Sequence, residues 1–258
     1  MIAQQCNFPY TKAILESLET TLSPGRLALY ERLAGGTTED ALRLYCWNMG
    51  LSQALYWPLH AFEVSLRNAM ADRIADEYGN DWYERIASFS TSRSPKPNDE
   101  AAHVEKAKRK LDEDGLAYGH DNIVAAISLG FWQGLLKLEY RDRLWDPLFS
   151  KIFQMIDREE TYKKVNQVKR LRNNVAHYEP ILVFLPRGDK RELFRDYKVV
   201  LKMIRWICPD TANWVEYHCS ADFFAVWNSC PEAFGVPKLS VTNTGEEANS
   251  QLWKFQTS

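Results

Sequence analysis

Between residues 52 and 78, apolar side chains return at Leu55, Leu59, Phe62, Leu66, Met70 and Ile74, in steps of three and four. That is the period of a helix with one buried face, not the alternation of a half-buried strand. Pro58 lies inside this stretch. It lacks an N–H and crowds the preceding turn, so a break or kink is expected near Trp57. The same reading predicts helices over 38–48 behind a Thr cap, 99–113 ending at Gly115, 121–139 capped by Asp121, 142–155, 158–178, and 189–207 ending at Cys208-Pro209. Two short helices are expected over 210–218 and 221–229. Residues 88–98 (SFSTSRSPKPN) and 179–190 read as loops, the second carrying the short β-prone run Ile181–Leu185. With so little strand pattern the expected fold class is all-α. One helical domain is expected over 1–234, followed by a polar tail over 235–258 of the kind that stays disordered.

The 158–178 stretch is the most informative. At 100° per residue, Val168, Leu171, Val175 and Tyr178 fall on one side, the natural core face. Asn173 lies opposite, flanked by Arg172 and His177. The outer face thus offers a permanently charged planar fork suited to phosphate and an imidazole able to take or give a proton. Together these groups suit cleavage of a phosphodiester whose own 2′-OH is the nucleophile, so no metal is required. The alternative is a basic helix end attracted to the negative pole of the helix dipole.

Composition narrows this picture. Net charge is −2, so the chain is not a general nucleic-acid coater, and any contact with RNA has to come from a local basic patch. Lys163, Lys164, Lys169 and Arg170 make such a run on the candidate helix, although runs of this kind are commonly solvated faces. Nine Trp point to wide helix contacts or an apolar interface. Phe131, Trp132, Trp145, Phe149 and Phe153 are expected to pack rather than to stack on bases. Gly130 and Gly134 are expected to permit close helix approach. Five cysteines with no Cys-x-x-Cys pair fit a reducing cytosol and supply neither a disulfide framework nor a zinc site. The first residues lack the apolar stretch of a signal peptide, and no run is long enough to span a bilayer, so a cytoplasmic protein without membrane contact is expected. Glu63 and Arg67, four apart beside the 52–78 stripe, read either as an intrahelical ion pair or as a partly buried pair directed at the Arg–His helix.

The wording adds to the spacing. "RLRNNVAHYEPIL" resembles the hallmark of the Abi-like (abortive infection) proteins of the HEPN superfamily. "LYCWNMGLSQALYWPLHAFEVSLRNAM" at 44–70, with its Glu-x-x-x-Arg, is similar to that family's N-terminal helical segment. "GFWQGLLKLEYRDRLWDPLFSKIF" at 130–153 is similar to the aromatic segment that precedes its Arg–His helix. The resemblance covers roughly residues 20–230. It implies a HEPN-type helical bundle with additional helices, a homodimer whose two chains line a shared cleft, and endoribonuclease activity without metal or cofactor in phage defence or a toxin–antitoxin pair. It makes Arg172 and His177 the catalytic pair and Asn173 a site-shaping residue, with Glu63 and Arg67 as further candidates. RNA is the implied substrate, and an antitoxin, protein or small RNA, the implied partner. Some HEPN toxins carry a Tyr two residues after the His; here that position is Glu179, and Tyr178 follows His177 directly. Many HEPN domains are non-catalytic modules that bind RNA or protein, which is the alternative function.

Overall fold

A computed structural model describes residues 8–91, 99–181 and 191–230. Its helices are α1 (Lys12–Leu22), α2 (Pro24–Ala34), α3 (Thr38–Tyr78), α4 (Asp99–Glu113), α5 (His120–Ala126), α6 (Leu129–Gly134), α7 (Arg158–Ala176), α8 (Arg191–Ile207) and α9 (Pro209–Asn228). Single turns of tighter or wider helix occupy Leu138–Tyr140, Arg141–Trp145 and Phe149–Lys151, and a 3₁₀ stretch runs over Trp82–Phe89. No strand occurs among the described residues, and the fold is all-α. Of the β-prone run only Ile181 is described, and it is buried in a helical turn; the polar tail and most of the 88–98 loop lie outside the described residues.

Several expected boundaries move, each for a local reason. The two helices expected over 38–48 and 52–78 are one helix of 41 residues that runs through Pro58. A proline removes one backbone hydrogen bond, and the buried stripe on both sides, from Leu55 to Ile74, holds the helix together across it. Thr37 caps α3: its hydroxyl accepts from the Asp40 N–H at 3.2 Å while the Asp40 carboxylate accepts from the Thr37 N–H at 2.9 Å. The helix expected over 121–139 is split into α5 and α6 at extended Ile127 and Ser128, and Gly119 rather than Asp121 is its N-cap. The helix expected over 142–155 is only a set of short turns around Pro147. The two short helices expected near the end are one, α9.

The chain divides into two compact units. The first comprises the chain to Trp57, residues 174–194 and the chain from Glu216. Its core gathers Leu27, Tyr30, Leu44, Trp47 and Leu51 with Phe223, Val226 and Trp227, and the Trp47 indole donates to the Val226 carbonyl at 2.8 Å. The second comprises residues 58–173 and 195–215. It is built on Leu59, Phe62, Leu66, Met70 and Ile74 of α3 with Trp82, Phe131 and Trp132, whose rings lie 4.9–6.0 Å apart. Phe131, Trp132, Trp145, Phe149 and Phe153 are all buried, as packing requires.

Gly134 sits where α6 crosses α4. A Cβ there would overlap the Glu100 carboxylate. That carboxylate cannot swing aside, because it is buried and accepts from Lys137 Nζ at 2.9 Å and from the Tyr140 hydroxyl at 2.8 Å. Gly134→Ala is therefore expected to destabilise the protein by about 2 kcal/mol, the usual cost of overpacking, in a denaturant titration.

Candidate active site

α7 is started by Asp157, whose carboxylate accepts from the Glu160 N–H at 2.8 Å, with Glu159 and Glu160 in the first turn where the helix dipole favours negative charge. Arg172 and Asn173 belong to the second unit and His177 to the first, with the boundary falling between Asn173 and Asn174.

In the second unit Val165, Val168 and Leu171 are buried, which turns Arg172 and Asn173 away from the core. Arg172 Nε donates to Glu63 Oε2 at 3.0 Å. Their side chains are 40% and 19% exposed, so this is a half-buried pair that fixes the arginine more than it stabilises the fold. Among the described residues the two Nη groups of Arg172 carry no hydrogen bond, and the Asn173 amide carries none either. Glu63 is thus joined to α7. Arg67 is not: its Nη1 lies 3.5 Å from the Ala125 carbonyl of α5, and its Nε is buried without a partner among the described residues.

The four cations expected to follow RNA are differently placed. Lys163 and Lys164 pair with Glu159 and Glu160 one turn earlier, at 2.7 and 2.9 Å. Lys169 is half-buried and donates to Gln133 Oε1 at 2.8 Å; burial first, and then the charge of Lys137, pulls its ammonium below the usual lysine range. Arg170 is exposed and carries no hydrogen bond among the described residues.

In the first unit α7 ends sooner than the apolar pattern suggests. Ala176 is its last residue and His177 its C-cap. Tyr178 adopts φ +58, the Tyr178 N–H donates to Val175 O at 3.2 Å and the Glu179 N–H to Asn174 O at 2.9 Å. This is a Schellman turn, followed two residues later by Pro180, which cannot continue a helix. The expectation that Tyr178 shares the core face of Val168, Leu171 and Val175 is corrected: those three are buried, whereas Tyr178 is 62% exposed because the chain reverses before it. Left-handed backbone costs a side chain with a Cβ about 1–2 kcal/mol. Two tertiary bonds hold the turn: Arg26 Nη1 donates to Tyr178 O at 2.8 Å, and the buried Ile181 N–H donates to Asn48 Oδ1 at 2.8 Å. The His177 imidazole is exposed and has no partner among the described residues.

Arg26, Asn48 and Gln133 are the site-supporting residues that sequence reasoning missed. Asn48 left one signal, a polar residue of low helix propensity inside an apolar helix and 1% exposed here. Three of the other four histidines make contacts away from α7. His120 Nδ1 accepts from the Trp82 indole at 3.1 Å, His103 Nδ1 meets Ser128 Oγ at 3.3 Å, and His218 stacks on Trp57. Among the described residues no group of three or more His, Cys, Asp or Glu is placed to hold a metal ion. None of their helices is long and apolar enough to cross a membrane.

These features define an all-helical protein that carries an arginine anchored by a glutamate and an exposed histidine capping the same helix. Residues 26–182, more than half of the chain, match the family described as Abi-like protein, and the chain belongs to that family. Membership supports a role in abortive infection, a form of defence. Neither a curated protein nor a solved structure matches the chain.

Proposed function

We propose that this protein is an endoribonuclease of abortive-infection defence that cleaves RNA without a metal, using Arg172 and His177, and that it works as a HEPN-type homodimer. The observation that carries the reading is the state of Arg172: Glu63 holds Nε, and among the described residues both Nη groups are left for a ligand. A guanidinium presented in this way suits the non-bridging oxygens of a phosphate, whose negative charge grows during displacement. His177 takes the proton from the ribose 2′-OH. O2′ then attacks phosphorus, the bond to O5′ breaks, and a second acid, water or the histidine of the other protomer, protonates the leaving oxygen. The products are a 2′,3′-cyclic phosphate and a 5′-hydroxyl. Asn173 lies beside Arg172 and shapes the phosphate site, while Arg170 is the cation best placed to follow the RNA backbone.

The test is incubation of the purified protein with total cellular RNA in EDTA, with fragment ends mapped. Cleavage leaving cyclic phosphate ends is the expected outcome. No cleavage of any RNA class by the dimeric protein, with binding retained, would replace this reading by a non-catalytic RNA-binding module.

A further inference from the structure

Tyr178 is not accounted for by folding alone. Its place in the turn calls for positive φ, which Gly or Asn supplies at least cost. A tyrosine is ordinarily retained for what its ring buries, yet this ring is 62% exposed and makes no ring contact or hydroxyl hydrogen bond among the described residues. The backbone beneath it is over-determined. Arg26 holds the Tyr178 carbonyl, Asn48 holds the Ile181 N–H, and the carbonyls of Asn174 and Val175 accept from the turn itself. Strained residues persist under such constraint, and they gather at ligand sites. The result is a rigidly mounted aromatic face in solvent, next in sequence to the exposed His177 and hydrogen-bonded through its carbonyl to a guanidinium.

We infer that the Tyr178 ring is a stacking subsite for one unpaired base of single-stranded RNA, adjoining the phosphodiester on which His177 acts; this rests on the ribonuclease reading above. A ring face accepts every base, so the subsite selects strands whose bases are free to splay outward rather than a particular sequence. Arg26 adds positive charge at the same turn, suited to a flanking phosphate. A duplex keeps its bases stacked inside and gains nothing from the ring.

The probe is a single-stranded oligonucleotide with 2′-O-methyl riboses, which lacks the nucleophile and cannot be cleaved, carrying 2-aminopurine at successive positions. Tyr178→Phe is expected to keep both affinity and fluorescence quenching. Tyr178→Leu is expected to bind about tenfold more weakly, the lower range for losing one base–aromatic stack, and to lose the quenching. Tyr178→Gly is expected to lose affinity equally without a lower unfolding midpoint, which separates the ring from the fold. A duplex of the same sequence is expected to bind wild type and Tyr178→Leu alike. Equal single-strand binding by wild type and Tyr178→Leu, or no single-strand binding by wild type, overturns the subsite. Cleavage of unmodified RNA is followed in parallel. If wild type cleaves while Tyr178→Leu binds as wild type does, only the subsite falls; if Tyr178→Leu loses the stack while wild type cleaves nothing, only the ribonuclease reading falls.

Discussion

His177→Ala is expected to lower RNA cleavage by a factor of about 10² to 10⁴, the usual contribution of one positioned general base or acid, while fold and oligomeric mass stay unchanged. The separation of activity from stability follows from where the residue sits. His177 is exposed, closes α7 as its C-cap and makes no side-chain hydrogen bond among the described residues. Removing its ring opens no cavity. An exposed substitution that breaks no hydrogen bond among the described residues leaves stability within about 0.5 kcal/mol. The Schellman bonds behind it come from backbone groups of Tyr178 and Glu179 and do not need the imidazole. The measurement is a single-turnover rate on RNA beside a thermal unfolding midpoint. Cleavage by the purified variant at the wild-type rate would remove His177 from the mechanism.

Arg172→Lys is expected to cost about 10² to 10³ in kcat, comparable to losing one donor to a charged transition state, although the charge is kept. Arg172 divides its donors: Nε goes to Glu63, and Nη1 and Nη2 remain without a partner among the described residues. A lysine has one nitrogen for both tasks, so it either pairs with Glu63 or reaches the phosphate, and it cannot present a planar fork. Glu63→Gln is the companion variant. Its amide oxygen can still accept from Nε, so the arginine stays in place and the loss should remain under about tenfold, in line with a half-buried pair. An Arg172→Lys variant as fast as wild type would show that charge alone suffices at this position.

The sequence made the long apolar stripes legible and the short-range interruptions less so. The stripe from Leu55 to Ile74 was readable because six positions keep one period, and that same burial is why Pro58 fails to break α3. α1 and α2 carry no such signal: α1 buries no residue and α2 only Leu27 and Tyr30. Between residues 121 and 155, apolar side chains are so dense that periodicity cannot tell a continuous helix from turns, and Ser128 and Pro147 decide the outcome locally. At the site, Glu63 was legible as a partner for α7 because it flanks the stripe. Tyr178 was misplaced because a helical wheel assumes that the helix continues. Arg26 and Asn48 were out of reach because they grip backbone groups 152 and 133 residues away, and a backbone group has no letter in the sequence.

Those same separations bear on when the site comes into being during synthesis. Arg26 to Tyr178, Asn48 to Ile181 and Glu63 to Arg172 span 152, 133 and 109 residues. Each closes a long loop whose entropy cost falls due before the bond exists. A nascent chain stopped short of residue 172 has none of the three, whatever helices it has already formed, and one stopped at 176 has only the last. A copy that ends before residue 172 therefore has neither the anchored arginine nor the braced turn, because one partner of each bond has yet to be made.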